Sequence, residues 1–230
     1  MGARQQSVLK AGIFTACLIP LLVLAWQAVT HHLGANPIDA ITDRTGIWTL
    51  RLLLITLAVT PARRLTGWNR LIQLRRMLGL FAFFYGSLHF LTYIWLDQFF
   101  VVEDIVADVM ERPFITVGFT SFVLLIPLAV TSTTAMIKRL GGKWWQRLHR
   151  LVYAIAIGGV VHYLWLVKAD TRRPLIYGSI LGALFAYRLW DTYGRRAMVG
   201  VTILRKAAVR RSGAALERRQ HRFGKQPHRP

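Results

Sequence analysis

The stretch RMLGLFAFFYGSLHFLTYIWL, Arg76 to Leu96, decides the fold. Beyond its opening arginine it holds no Lys, Arg, Asp or Glu. At about 1.5 Å per residue such a run spans roughly 30 Å as a helix, the hydrocarbon thickness of a bilayer. Backbone groups in lipid must be bonded internally, which makes the run a helix and not a strand. Its costliest polar member is His89. An intramembrane ionisable residue is a functional hypothesis by default.

Working outward, comparable runs appear at 8–29, 46–60, 115–131, 148–167 and 174–190. The 230-residue chain is 54% hydrophobic with a mean hydropathy of +0.38. A soluble domain would carry about 45–50% apolar residues. The fold class expected is all-α: an integral membrane six-helix bundle over 1–195, then a basic cytoplasmic tail over 196–230. The tail is expected to be partly disordered, because 220–230 holds few large apolar residues. No small-residue cleavage site follows the first run, so it reads as a retained helix rather than a removed signal peptide. The single cysteine, Cys17, rules out an intrachain disulfide and reads as an inert small hydrophobe.

Charge sets the expected orientation. The net charge is +20 and the pI about 11.5. Arg63, Arg64, Arg70 and Arg75 lie between the second and third runs. Lys138, Arg139, Lys143 and Arg147 lie between the fourth and fifth, and more basic residues follow the sixth. The alternate connections carry Asp39, Asp43 and Arg44, then Asp97, Glu103, Asp104, Asp108 and Glu111 against Arg112, then Lys168, Asp170, Arg172 and Arg173. Lys and Arg gather on the cytoplasmic side, so both termini are expected there. The positive charge is therefore a topology signal and a grip on the anionic lipid bilayer, not a nucleic-acid surface. Trp144, Trp145, Trp165 and Trp190 fall near run ends, as an aromatic belt requires. Pro61 reads as a helix stop, Pro113 as a helix start and Pro127 as a kink. Val59-Thr60-Pro61 and Val130-Thr131-Ser132 are similar endings, too short alone to establish a repeat.

Histidine is the commonest axial ligand for haem iron. His89 lies 13 residues after Arg76, and His162 lies 12 after Arg150. Both imidazoles are thus expected about 18–20 Å above the cytoplasmic edge, where two helices can clamp one haem between them. His149, 13 residues before His162, sits about 20 Å lower if both share one helix, but is turned roughly 140° away. It reads either as an interfacial residue or as ligand to a second haem. The third run offers no histidine at that depth, only Arg75, Arg76 and Met77. Arg75 and Arg76 read first as topology, and second as contacts for an anionic group such as a flavin phosphate or haem propionate. His31 and His32 read as interfacial, and His221 and His228 as solvated.

Several strings together resemble the MsrQ family, formerly YedZ. They include Gly46-Ile47-Trp48-Thr49-Leu50, Val59-Thr60-Pro61 with Arg63-Arg64, and Arg75-Arg76-Met77-Leu78-Gly79-Leu80. Further ones are Tyr85 with His89 and Tyr93, Arg112 through Gly118, Pro127 through Ser132, Trp144 through Tyr153, and His162 with Trp165. The resemblance covers about 8–195. It implies the haem-binding membrane subunit of a bacterial periplasmic methionine sulfoxide reductase system, MsrPQ, with a ferric-reductase-like transmembrane domain. It implies haem b, one or two copies, on His89, His149 and His162, together with FMN. It implies electrons drawn from the quinone pool or a cytoplasmic flavin reductase. They pass to a periplasmic molybdopterin catalytic subunit that repairs oxidised methionines, from a site in the bacterial inner (cytoplasmic) membrane. The larger oxidase relatives carry two histidines on the third span; this chain has one.

The reading is an electron-transfer subunit rather than an isolated catalyst. No catalytic thiol site is evident for sulfoxide chemistry. The acidic 97–111 connection suits a partner with a basic docking face. A stand-alone metalloreductase or oxidase is the rival within the haem class. A proton-relaying transporter is the rival outside it, and it is disfavoured by the lack of repeated carboxylates within the runs.

Overall fold

Asn36 begins the longest helix, α2 (Pro37–Thr66). Its side chain accepts the Asp39 N–H, Pro37 occupies the first turn, and Asp39 supplies a negative charge there. At the far end Gly67, with φ 71°, takes the left-handed conformation that closes a helix, behind Arg63 and Arg64 in the last turn. The expected stop at Pro61 is therefore a correction: Pro61 lies inside α2, one turn and more before the glycine that ends it.

The protein is described by a computed structural model covering residues 3–194; the expected tail over 196–230, with His221 and His228, lies outside the described residues. Among those residues every regular element is helical. In order they are α1 (Ala3–Val29), α2, a 3-10 turn (Asn69–Gln73), α3 (Leu74–Thr92) running into a π turn (Tyr93–Asp97), α4 (Val102–Glu111), α5 (Pro113–Val130), α6 (Thr134–Leu140), α7 (Gly142–His149), α8 (Leu151–Leu166) and α9 (Arg172–Leu189). The described residues up to 184 pack as one unit. A second unit starts at Phe185; its described part is the end of α9 and a π turn (Trp190–Gly194), where the Tyr187 and Trp190 rings lie 6.2 Å apart.

Among the described residues four helical stretches are long and apolar enough to cross a membrane: Arg4–Val29, Pro37–Thr66, Asn69–Asp97 and Pro113–Val130. This is a multi-pass membrane protein. Helices also occupy the fifth and sixth expected runs, but α8 has only 16 residues and α9 carries Arg172, Arg173 and Arg188 within its 18. α1 is apolar all round, exposing Leu22, Trp26 and Val29, as a helix against lipid does.

α2 and α3 pack through small residues that let the backbones approach. A methyl group built on Gly86 would lie 3.4 Å from Thr49, and one on Gly79 3.8 Å from Thr56; between them Ala82 is fully buried. The threonines bond their hydroxyls back into α2, Thr49 to the Thr45 carbonyl and Thr56 to the Leu52 carbonyl. α5 and α8 repeat this with Ser121 against Gly158.

Tyr85 ties α1 to this core. Pro20 disrupts the α1 hydrogen-bond ladder by lacking an N–H. Next to it, the Tyr85 hydroxyl accepts the Leu21 N–H at 3.1 Å and donates to the Cys17 carbonyl at 2.8 Å. Those two backbone groups are a helical i, i−4 pair, so the phenol enters the ladder where the proline weakens it. Tyr85 is 1% exposed. Replacing Tyr85 by Phe is expected to destabilise the protein by about 1 kcal/mol, the net worth of such bonds, read as a lower thermal midpoint in detergent. An unchanged midpoint would contradict this role.

Candidate functional site

His89 and His162 come together from α3 and α8. Their ring centroids are 6.1 Å apart and their planes are inclined at 76°. Each ring is fixed by a bond to a third or fourth helix. The His89 Nδ1–H donates to the Thr42 carbonyl of α2 at 2.9 Å. The His162 Nδ1–H donates to the Phe114 carbonyl of α5 at 2.6 Å. A carbonyl only accepts, so each ring carries its proton on Nδ1 and keeps the Nε2 lone pair for another partner. A ligating imidazole is held in this way, its other nitrogen bonded to a carbonyl.

Glycines make the approach possible. A methyl group built on Gly46 would lie 3.0 Å from His89 Cε1, and one on Gly118 only 2.7 Å from His162 Nδ1. The two halves follow one plan. The accepting carbonyl sits four residues before the glycine (Thr42 before Gly46, Phe114 before Gly118), and a hydroxyl residue sits three after (Thr49, Ser121). That hydroxyl residue meets a glycine on the histidine's own helix, Gly86 or Gly158. Farther along come Leu57-Ala58-Val59-Thr60 and Leu128-Ala129-Val130-Thr131. The similar endings are the tails of a structural repeat, α2–α3 and α5–α8, with each half contributing one imidazole.

The donor set limits what the pair can hold. Among the described residues no group of three or more His, Cys, Asp or Glu is placed to bind a metal ion. Two imidazoles alone do not complete a tetrahedral or octahedral shell. They do fit a metal whose remaining positions a macrocycle fills. With bonds of about 2 Å on each side, two such rings stand roughly 6 Å apart, as these do.

Between His149 and His162 the helix is interrupted, an irregularity that ligation by His149 would require. His149 ends α7, and α8 starts only at Leu151. The 13-residue spacing to His162 therefore crosses a helix break, and the 140° rotation of a continuous helix does not apply. Its ring stacks on Trp145, centroids 3.9 Å apart, and its Nδ1–H donates to the Trp145 carbonyl at 3.0 Å. The Leu128 carbonyl lies close by, yet the buried Nε2 has no partner in hydrogen-bond geometry. Arg75 stands within electrostatic reach of this ring, whereas Arg76 is exposed. Arg63, read from sequence only as topology, has a buried Nε without a partner. On the opposite side Asp108 is engaged internally, accepting from Tyr93 and Gln98 and pairing with Arg112 at 3.1 Å. Glu103, Asp104 and Glu111 remain exposed.

A family model described as ferric reductase like transmembrane component matches residues 45–160. A protein of Herminiimonas arsenicoxydans named protein-methionine-sulfoxide reductase heme-binding subunit MsrQ is 55% identical over 84% of this chain and 89% of its own length. Proteins of the same name from Azospira oryzae and Rhodospirillum rubrum are 56% and 54% identical, each over 81% of this chain and over 80% and 90% of their own lengths. The chain belongs to the MsrQ family. The ferric-reductase-like match takes in Gly46, His89, Gly118 and His149, and ends two residues before His162. In this MsrQ-family chain the sequence signal for the clamp is the shared Gly-x-x-Thr/Ser pattern at 46–49 and 118–121, which periodicity alone does not single out.

Gly118→Ala is expected to cost about 1–3 kcal/mol, because the added methyl meets a ring that its bond to Phe114 holds in place. Gly12→Ala, with nothing within 4 Å, is the control. Equal thermal midpoints for the two variants would contradict the clamp.

Proposed function

We propose that this chain is the haem b-carrying electron-transfer subunit of a protein-methionine-sulfoxide reductase system. The observation that carries the reading is the pair of imidazoles 6.1 Å apart, each with Nδ1 engaged by a backbone carbonyl. When bound, haem supplies reversible one-electron carriage, which no side chain here offers. His89 and His162 would hold the iron. Thr42 and Phe114 orient those rings and raise their basicity through the Nδ1–H bonds. Gly46 and Gly118 leave room for the rings beside their helices. The curated relatives are named heme-binding subunits, which supports the assignment.

The inner side forms a second candidate site. The buried Nε2 of His149, with Arg75 within electrostatic reach and the unpartnered Nε of Arg63 on the same basic side, suits a second haem or FMN, whose propionates or phosphate the guanidinium groups would meet. Electrons enter from the quinone pool or a cytoplasmic flavin reductase. They leave outward to a periplasmic molybdopterin catalytic subunit, where the sulfoxide chemistry occurs. The exposed Glu103, Asp104 and Glu111 make that outer connection acidic, suited to a basic docking surface. The proposed setting is six crossings of the bacterial inner membrane with both termini cytoplasmic, by the charge distribution already described. On this reading the chain is not a catalyst by itself.

Optical spectra with haem quantification test the assignment. His89→Ala and His162→Ala are each expected to abolish the same low-spin signal, while His149→Ala leaves that signal in place. Loss from only one of the first two variants would break the pairing.

A further inference from the structure

The apolar run 46–60 of α2 holds one charged residue, Arg51. It stands 14 residues after Pro37 and 12 before Arg63. At about 1.5 Å per residue those are roughly 21 and 18 Å, which places it near the middle of the hydrocarbon. The topology rule that accounts for Arg63 and Arg64 does not reach this depth. An arginine here is expensive, and such residues mark functional sites. The clamp makes no contact with it: five residues past Gly46, Arg51 is turned about 140° from the side of α2 that meets His89. The guanidinium is nonetheless held. It leans back over the Trp48 ring, 4.9 Å from the centroid, and its Nε–H donates to the Tyr177 hydroxyl of α9 at 2.9 Å. Both partners are neutral. Among the described residues no carboxylate forms an ion pair with it; Asp43, eight residues nearer the outer end, is within electrostatic reach. The exposed edge of Arg51 meets hydrocarbon, where no water screens it.

We propose that Arg51 is an electrostatic control on the clamp: its fixed charge favours the reduced state of the iron that His89 and His162 would hold. The inference rests on the electron-transfer reading above. A guanidinium is not deprotonated in proteins, so the charge is permanent. Reduction places one more negative charge at the clamp, and a nearby cation stabilises that state over the oxidised one. A methyl group built on Gly46 lies 3.0 Å from the His89 ring. Arg51 is about one and a half turns farther along α2, so its guanidinium stands roughly 15–20 Å from the iron position. A unit charge at that distance, at the effective dielectric of a protein, changes a one-electron equilibrium about fivefold. Depth gives the effect a direction. Along α2, Arg51 is about 7.5 Å from the level of Gly46 and about 18 Å from that of Arg63. It therefore favours an electron at the clamp over one on the inner side, and draws charge outward. Trp48 and Tyr177 position it for this.

The test is an optical redox titration of the full-length, haem-loaded chain in detergent, which reads an equilibrium rather than turnover. Arg51→Leu is expected to lower the midpoint, so that at the wild-type midpoint potential the reduced-to-oxidised ratio falls about fivefold. Arg51→Gln, which keeps a polar donor for Tyr177 but no charge, is titrated beside it with the same expectation. Arg51→Lys keeps the charge and retains most of the wild-type midpoint. Tyr177→Phe removes the bond between α2 and α9, leaves the charge in place and stays near wild type. An intact low-spin spectrum in each variant shows that the clamp is assembled. Wild-type midpoints in both Arg51→Leu and Arg51→Gln overturn the inference while the clamp stands. So does a fall in Tyr177→Phe as large as in Arg51→Leu, which makes Arg51 a tie between helices. A chain that takes up no haem refutes the electron-transfer reading itself, and this inference with it.

Discussion

Two hydrogen bonds govern the architecture: the Nδ1–H of His89 to Thr42 and that of His162 to Phe114. Each runs between helices in a region where water cannot substitute for a lost partner. Each fixes a tautomer, an orientation and a distance at once. The glycines, the back-bonded threonines and the small residues along α3 and α8 follow from it, because a ring can reach a carbonyl on the next helix only where the backbones nearly touch. The close packing of α2 on α3 and of α5 on α8 is thus part of the site.

The duplicated plan adds a second constraint. Neither half can complete the clamp, since each supplies one imidazole from its own pair of helices. The site forms only when α3 and α8 meet. Its fidelity depends on the contact between the pairs as much as on either histidine. Tyr85 extends the same core toward α1 by entering the helix beside Pro20, and its ring also borders a cavity beside that helix.

Much of this was legible in the sequence. Long uncharged runs dictate helices in lipid, and His89 and His162 stand out because a histidine there is costly. Matching distances from Arg76 and Arg150 put them at one depth without any structure. The rest was hidden for physical reasons. Pro61 looks like a stop, yet a helix tolerates an internal proline, and it is Gly67 in the left-handed conformation that ends α2. His149 looks continuous with His162 because nothing around Arg150 marks a break. Asp108 looks like a surface charge, but a hydroxyl, an amide and a guanidinium on neighbouring elements claim it. Gly46 and Gly118 look like ordinary helical glycines; their meaning lies in which ring stands opposite, and that is a tertiary fact.

The central claim is that one iron is shared by two steeply inclined imidazoles. Electron paramagnetic resonance of the oxidised, purified protein tests it most directly. Rings inclined at 76° on one ferric haem predict a single, strongly anisotropic low-spin signal. A high-spin ferric signal, or no porphyrin iron in protein assembled in haem-replete cells, would contradict it.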